Sequence, residues 1–266
     1  MSRVDLYDNT YGHFGDEVLA RVRAETYGTD IGQSGWVTAE EYQEFAGWLQ
    51  LDRDRHALDV GCGSGGPALH LARLTGGRVT GIDINVEGIA TARRQASAAG
   101  LESRVTFEEA DMDGDLPFAG ASFDAIVSMD AMCHMTQRAH VLAQWRRVLR
   151  PGGRAVFTDP VVITGAVTSD EFAIRSSIGR FLFVPPGINQ QLIEQAGFRL
   201  ARALDLSESG AYMAGRWHDA RAHHRRDLVA LEGEQRFEGL QRFLSTVQRV
   251  MGERRLSRIA YFVEPR

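Results

Sequence analysis

Short apolar stretches alternate with amphipathic ones through the middle of the chain. Apolar runs of strand length are each followed by a segment whose apolar residues recur every three or four positions. This alternation predicts an α/β fold with a doubly wound, mostly parallel sheet. The predicted strands are residues 56–60, 78–83, 104–109, 123–129 and 153–158, and the predicted helices are residues 67–75, 86–99 and 137–149.

The C-terminal part completes a seven-stranded sheet. Residues 188–196 and 198–206 predict a helix and a sixth strand, and residues 259–263 predict a seventh. No crossover helix of ordinary form leads to this last strand. We therefore expect it to be antiparallel and to be added at the edge of the sheet.

Three segments lie outside the alternation. The N-terminal segment contains two predicted helices joined by a glycine-containing loop, which we interpret as a helical lid. Two later segments carry helical patterns and aromatic residues that suit a cover over a substrate pocket. The predicted division is a lid, residues 1–50, and a main domain, residues 51–266, with cap insertions at residues 159–187 and 207–254.

Composition and charge narrow the class of protein. The 266 residues are 44% hydrophobic and carry a formal net charge of -5, so we expect no nucleic-acid partner. Cys62 and Cys133 form neither a disulfide framework nor a metal-ligand pattern, so we expect reduced thiols, no bound metal and a cytoplasmic protein. No apolar run has membrane-spanning length, so we expect no membrane partner. The pattern predicts nothing about oligomeric state.

A glycine-rich turn follows the first predicted strand and precedes the first predicted helix. Gly61, Gly63 and Gly66, with Cys62 between the first two, fit the spacing G-x-G-x-x-G. This spacing lets backbone N–H groups approach a nucleotide at the start of a helix, and it occurs in NAD-binding proteins. Asp59 instead favours a cationic ligand such as S-adenosylmethionine (SAM), because a carboxylate before the turn would repel a pyrophosphate.

Acidic residues also follow the next two predicted strands, at the edge where ligands of such sheets bind. Asp83 lies about 20 residues after the turn, where a carboxylate accepts hydrogen bonds from ribose hydroxyls. Asp111 can accept from an adenine amino group, while Ile84 or Met112 packs on the adenine ring. For Met112 alone, ordinary core packing is the simpler interpretation.

Polar groups at the exit of the fourth predicted strand suggest acid–base chemistry. Asp130 and His134 are four residues apart, which on a helical turn places both on one face. A carboxylate that orients an imidazole makes a general base near neutral pH, and a packed histidine bonded to the backbone is the alternative. In the first cap insertion, Arg175 and Arg180 suit a carboxylate or phosphate, with solvated surface cations as the alternative.

Together these motifs resemble those of the seven-stranded SAM-dependent methyltransferases. The glycine-rich turn is followed in that family's order and spacing by four further motifs, so the resemblance covers residues 57–159. These motifs are residues 79–84, 110–112, 123–127 and 148–153.

Outside this core the chain resembles the small-molecule branch, particularly phosphoethanolamine methyltransferases and natural-product enzymes. The resemblance implies that Gln33 and Ser34 lie in the loop that contacts the SAM carboxylate. It also implies that an N-terminal tyrosine works with His134. Tyr11 is the best-placed tyrosine, and Tyr7 is the second candidate.

One feature departs from the phosphoethanolamine methyltransferases, which have a tyrosine-rich phosphate pocket in the cap. No tyrosine stands between positions 43 and 211 of this chain. Phosphoethanolamine itself is therefore not the expected acceptor. Arg180 and Arg249 are the candidates to hold an anionic group of another acceptor.

The expected activity is methyl transfer from SAM to an N or O atom of a small molecule, which leaves S-adenosylhomocysteine. His134 is expected to be the base or orienting residue, with Asp130 and Tyr11 beside it. A C- or S-methyltransferase of the same fold, acting on a natural-product or prenyl-type substrate, is the alternative. A NAD-dependent oxidoreductase fits less well, because Asp59 and the later motifs oppose it. A non-catalytic SAM-binding protein would bind SAM without needing His134.

Overall fold

A seven-stranded sheet forms the centre of the molecule. The computed structural model describes residues 7–266, so residues 1–6 of the predicted lid lie outside the described residues. The strands are β1 (His56–Val60), β2 (Arg78–Asp83), β3 (Val105–Glu109), β4 (Phe123–Ser128), β5 (Leu149–Ile163), β6 (Phe198–Asp205) and β7 (Leu256–Pro265).

The sheet order is β3-β2-β1-β4-β5-β7-β6, with parallel pairing from β3 through β5 and an antiparallel β7. This confirms the predicted doubly wound, mostly parallel sheet. The predicted edge position of the last strand is wrong, because β7 lies between β5 and β6. Most of β7 is buried, including Tyr261 and Phe262, so it needs neighbours on both sides, whereas β6 is largely exposed and forms the edge.

Helices pack on both faces of the sheet and above the ends of its strands. A short 3-10 turn, Met132–His134, follows β4. The α-helices are α1 (Tyr7–Gly12), α2 (Glu17–Tyr27), α3 (Ala39–Leu49), α4 (Gly66–Thr75), α5 (Val86–Ala98), α6 (Arg138–Val148), α7 (Ser169–Arg175), α8 (Ile188–Gln195), α9 (Ser207–His223), α10 (Arg225–Glu232) and α11 (Glu234–Gly252).

The core on one face of the sheet includes α3. The rings of Phe45 and Trp48 lie 5.5 and 5.1 Å from the ring of Phe262 on β7. On the other face, Trp145 of α6 is fully buried and its ring lies 5.6 Å from that of Phe157. Because α3 belongs to the core, the part of the N-terminal segment that covers the strand ends is α1, α2 and the loop before α3.

A second apolar core joins the lid to the cap. Tyr27 at the end of α2 and Trp36 in the following loop pack with buried residues of α9 and α11, including Met213 and Phe243. The buried apolar side chains of α11 therefore pack against the lid and α9. Among residues 7–266, no helix is both long and apolar enough to cross a membrane.

Candidate active site

A cavity of about 560 Å³ opens at the carboxyl ends of the strands, beneath the lid and the cap. It brings together predicted residues that are dispersed over most of the first 180 positions. Of the predicted site residues, Arg249 does not line the cavity. The predicted residues that line the cavity are Tyr11, Gln33, Ser34, Asp59, Gly61, Cys62, Gly63, Asp83, Ile84, Asp111, Met112, Asp130, His134 and Arg180.

The glycine-rich turn leaves β1 with backbone angles that glycine adopts readily. Gly61 and Gly63 have φ values of 80° and 53°. A Cβ atom on Gly61 would lie 2.5 Å from Cβ of Ala131, and one on Gly63 would lie 2.7 Å from the hydroxyl oxygen of Tyr11. The turn therefore presents bare backbone, which a ligand can approach closely.

The loop before α3 closes one side of the cavity. A Cβ atom on Gly66 would lie 2.5 Å from Cα of Gly32, so loop and helix meet here without side chains. The Gln33 side chain turns into its own loop, where Oε1 accepts a hydrogen bond from the Ile31 N–H at 2.9 Å. The Gln33 side chain therefore stabilises its own loop, and the ligand contact expected of Gln33 stays a prediction. The Ser34 hydroxyl lines the cavity and has no hydrogen-bond partner within residues 7–266.

Two buried carboxylates lie side by side at the ends of β1 and β2. Oδ2 of Asp59 has no hydrogen-bond partner in the described part of the chain. Burial, reinforced by the negative charge of Asp83, raises the pKa of Asp59 to about 7. Asp83 accepts hydrogen bonds from the backbone N–H groups of Gly63 at 2.9 Å and Asn85 at 2.8 Å, and burial raises its pKa as well. A cationic ligand close to Asp59 and Asp83 would lower the pKa of both carboxyl groups.

An apolar side chain faces open space next to these carboxylates. Ile84 is 58% exposed although it lines the cavity, and the half-buried Met112 lines the cavity too. The exposed Asp111 accepts a hydrogen bond from the Asp113 N–H at 3.0 Å through Oδ1. Two apolar side chains and a carboxylate in one cavity are the kinds of group that bind a flat heteroaromatic ring with an amino group.

The predicted pairing of Asp130 with His134 is wrong. Oδ2 of Asp130 accepts from the Trp36 N–H at 2.8 Å, and Oδ1 accepts from the Thr158 hydroxyl and from Nε of Arg258, each at 2.8 Å. The prediction assumed a regular helical turn, whereas Asp130 has a φ of 55° and precedes a 3-10 turn. Its carboxylate therefore anchors the lid loop to the sheet.

Two hydrogen bonds hold the ring of His134. Nδ1 lies 2.8 Å from the carbonyl oxygen of Arg180, and Nε2 lies 2.8 Å from the hydroxyl of Tyr7. A carbonyl can only accept, so Nδ1 carries the proton and Nε2 accepts from the tyrosine O–H. Burial lowers the pKa of His134 to about 4, so the imidazole is neutral at pH 7. Burial also raises the pKa of Tyr7, which keeps its proton.

Tyr7, the second candidate, occupies the place predicted for Tyr11. Both tyrosines lie on α1, and their ring centres are 5.9 Å apart. Tyr7 presents its ring edge-on to His134, whereas Tyr11 lies against Gly63 and Gly88 of the cofactor side. The sequence spacing could not distinguish them, because the choice depends on how α1 docks onto the sheet.

The three arginines considered for anion binding have different surroundings. Arg180 is exposed at the cavity, to which its carbonyl also contributes the contact with His134. Arg249, the other predicted anion contact, is not among the residues that line the cavity, and its Nη1 pairs with Oε1 of Glu171 at 2.6 Å. Arg175, which the sequence suggested together with Arg180 as an anion contact, is 1% exposed and lines the cavity.

Outside the cavity, a carboxylate meets the histidine pair of the cap. Glu25 at the lid contacts Nδ1 of His223 at 3.1 Å and Nε2 of His224 at 2.7 Å. Hydrogen bonds from these histidines lower the pKa of Glu25. The three side chains could also hold a metal ion at this surface, a constellation that sequence spacing alone missed because Glu25 is far away in the chain.

The fold and the cavity have the form of the α/β methyltransferases. Residues 57–153 match the family model of the methyltransferase domain. Over 258 residues the chain is 30% identical to the 27-O-demethylrifamycin SV methyltransferase of Amycolatopsis mediterranei, a match that covers 96% of this chain and 84% of that protein. The chain therefore belongs to the SAM-dependent methyltransferases.

Solved structures share the whole architecture at low sequence identity. A protein provisionally described as a sarcosine dimethylglycine methyltransferase from Galdieria sulphuraria superposes with a TM-score of 0.78 and 20% identity, covering 95% of this chain and 97% of that one. The phosphoethanolamine N-methyltransferase 2 of Haemonchus contortus gives a TM-score of 0.81 and 17% identity, covering 98% of this chain and 60% of that one. At these identities the likeness concerns the fold.

Proposed function

We propose that this chain transfers the methyl group of SAM to an N or O atom of a small molecule, with His134 and Tyr7 receiving or orienting the acceptor's proton. The observation that carries this proposal is the hydrogen bond between the Tyr7 hydroxyl and a neutral, tautomer-fixed His134 inside the cavity. The 27-O-demethylrifamycin SV methyltransferase supports oxygen as the acceptor atom. The phosphoethanolamine N-methyltransferase keeps nitrogen as the second candidate.

Residues at the ends of β1 and β2 and in the segments that follow them suit SAM. Asp59 offers a buried, unpaired carboxylate oxygen to the ammonium group, and Asp83 keeps lone pairs for ribose hydroxyls. Ile84 and Met112 would sandwich the adenine ring, whose amino group can donate to Asp111. The bare backbone at the glycine turn and the Ser34 hydroxyl would hold the rest of the amino acid part. When bound, SAM supplies a methyl group activated by the sulfonium, and the sulfur leaves as the neutral thioether of S-adenosylhomocysteine.

The protein must then accept a proton from the methyl acceptor. The Tyr7 O–H donates to Nε2 of His134, so the tyrosine oxygen keeps lone pairs that can accept from an O–H or N–H group of the acceptor. A proton that arrives at Tyr7 displaces the tyrosine's own proton onto Nε2, and the Arg180 carbonyl holds the Nδ1–H of the resulting imidazolium. Two neutral groups thus form a short proton path.

The cap supplies alignment and excludes water. An apolar wall of the cavity is formed by one cluster of side chains, Trp36, Ile178, Phe181, Trp217 and Phe243. Correct alignment of two reactants can contribute roughly 7–11 kcal/mol to catalysis, which is a large share of what a methyl transfer needs.

A C-methyltransferase would use the aromatic wall to stabilise a carbocation. Here the guanidinium of Arg175 already lies over two of those rings, 4.4 Å from the centre of Phe181 and 5.1 Å from that of Phe243. A second cation at the same place would be repelled. This favours N or O as the acceptor atom.

The test compares His134→Ala with His140→Ala, since His140 is an exposed histidine on α6. The acceptor is first found by measuring S-adenosylhomocysteine release with small phenols, hydroxy acids and amines. His134→Ala should lower kcat by about 10²–10⁴-fold, the usual contribution of a positioned acid–base group, while SAM affinity changes less than about twofold. A normal kcat in His134→Ala would remove the proposed proton path, and His140→Ala should match the wild type.

A further inference from the structure

Within the described part of the chain, Arg175 is a buried cation that is paired with no carboxylate. Its side chain ends α7 and is 1% exposed, and Nε and Nη1 have no hydrogen-bond partner among residues 7–266. Burial lowers its pKa, but a guanidinium stays charged in proteins. A buried charge with unsatisfied N–H groups is unfavourable, so its retention needs an explanation.

The other deeply buried arginines of the described chain each have a carboxylate. Arg138 pairs with Asp159 at 2.5 Å, Arg258 pairs with both Glu41 and Asp130 at 2.8 Å, and Arg221 pairs with Glu232. Arg175 instead contacts the faces of two phenylalanine rings. Cation–π contacts compensate a desolvated charge only in part and leave its N–H groups without acceptors.

The guanidinium lies close to the proposed proton path and within the apolar wall. The central carbon of the Arg175 guanidinium lies 4.4 Å from the centre of the Phe181 ring. The centre of the His134 ring lies 4.5 Å from the same point. Arg175 and Tyr7 both line the cavity. The unpaired carboxylate oxygen of Asp59, by contrast, belongs to the cofactor residues after β1. Arg175 is therefore placed to meet the acceptor rather than the cofactor.

We propose that Arg175 anchors an oxyanion of the methyl acceptor, a carboxylate or a phosphate carried on an apolar body, beside the atom that is methylated. This inference rests on the proposed function, since it names the acceptor class of the same cavity. Guanidinium N–H groups suit planar carboxylates and phosphates, and the surrounding rings suit an apolar body. The acceptor is thus an amphipathic anion.

Binding of an anion to Arg175 would also change the pKa of His134, the proposed base. Burial chiefly lowers the pKa of His134, and the positive charge of Arg175 lowers it further. An oxyanion on Arg175 cancels that charge, so the bound acceptor makes His134 easier to protonate. The pKa of His134 should therefore rise from about 4 when the anion binds.

The experiment uses three probes of similar shape, benzoate, phenyl phosphate and the neutral benzamide, added to protein saturated with S-adenosylhomocysteine. Ligand-observed NMR measures their affinities. Wild-type protein should bind at least one anion about tenfold or more tightly than benzamide, and the better anion identifies carboxylate or phosphate as the group recognised. Arg175→Gln should remove this preference, Arg175→Lys should keep part of it, and the surface variant Arg242→Gln should behave as the wild type.

Three results would overturn the inference. They are equal binding of all probes by the wild type, an unchanged anion preference in Arg175→Gln, and weaker S-adenosylhomocysteine binding in Arg175→Gln, which would assign Arg175 to the cofactor. Loss of S-adenosylhomocysteine binding in the wild type would instead contradict the proposed function. Thermal unfolding shows whether Arg175→Gln is folded. Removing an unpaired buried charge should leave its Tm unchanged or raise it. If Arg175→Gln does not fold, the Arg175→Lys variant must show a reduced anion preference.

Discussion

The two halves of the cavity have opposite charge. The half built from the strand ends carries Asp59, Asp83 and Asp111, and the half built from the cap carries Arg175 and Arg180 among aromatic side chains. Each half contains buried polar atoms without a hydrogen-bond partner in the chain as described, Oδ2 of Asp59 on one side and Nε and Nη1 of Arg175 on the other. The pattern suits a cationic cofactor facing an anionic acceptor.

This comparison separates groups that stabilise the fold from groups that are kept for ligands. Asp159 and Arg138 are fully buried and satisfy each other, so their pairing needs no ligand. Asp59 and Arg175 are as deeply buried and lack such partners. A buried charge that the fold leaves unpaired, and that faces a cavity, is a better guide to ligand chemistry than charge alone.

The largest effect expected is on stability. Arg138→Met should lower the free energy of unfolding by about 3–5 kcal/mol, because Asp159 would remain as an uncompensated buried charge. Arg175→Met should lower it little or raise it. Urea unfolding of the two variants measures the difference, and equal destabilisation would show that Arg175 has a structural partner after all.

Next in size is the loss of a cofactor contact. Asp83→Ala should weaken SAM binding at least tenfold, about 1.4 kcal/mol, if the carboxylate holds the ribose hydroxyls. Asp54→Ala, at an exposed aspartate before β1, provides the control. Calorimetric titration of both variants checks this, and an unchanged affinity for Asp83→Ala would remove Asp83 from the cofactor site.

Substitutions at the two tyrosines of α1 should change kcat to different extents. Tyr7→Phe should lower kcat about tenfold, since it removes the hydroxyl that links the acceptor to His134, with little effect on the KM for SAM. Tyr11→Phe should keep kcat within about twofold, because Tyr11 lies against the glycine turn. Steady-state kinetics with both variants tests the assignment, which the reverse pattern would contradict.

The dependence of SAM binding on pH gives a smaller effect. The pKa of Asp59 is raised to about 7 in the free protein, and an ammonium group favours its ionised form. As pH falls from 7 to 6, the ionised fraction falls from about one half to about one tenth, so affinity should drop about fivefold. Titrations of wild type and Asp59→Asn check this, and the variant should lose the pH dependence along with most of its affinity.

The smallest effect separates Arg249 from the cavity. Arg249→Gln should leave acceptor KM within about twofold, because this side chain pairs with Glu171. Steady-state kinetics measure the acceptor KM of Arg249→Gln and of Arg175→Gln under the same conditions, so the two arginines are compared directly. A large rise in KM for Arg249→Gln would bring that arginine back as an acceptor contact.

The side of the cavity built from the strand ends was largely predictable from the sequence, and the side built from the lid and the cap was not. The glycine turn and Asp83 depend on contacts within consecutive strand–turn–helix units, whose geometry follows from local pattern. The choice between Tyr7 and Tyr11, the partners of Asp130 and the pairing of Arg249 depend on how distant segments pack. Asp130 illustrates the difference, because its left-handed backbone turns the carboxylate toward Trp36 and Arg258, more than 90 residues away in either direction.

The position of β7 was also beyond local pattern. Its apolar sequence predicted a strand, but only the burial of both its faces and both its edges determines that it lies between β5 and β6. Sequence pattern thus predicted the element correctly and its neighbours incorrectly.

The most direct test of the central claim is calorimetric titration of the purified protein with SAM, S-adenosylhomocysteine and NAD at pH 7, in two buffers of different ionisation enthalpy. We predict that the first two bind and NAD does not, and that binding of SAM releases about half a proton as Asp59 ionises. Binding of NAD without SAM would contradict the account. Binding of SAM without proton release would contradict the role given to Asp59.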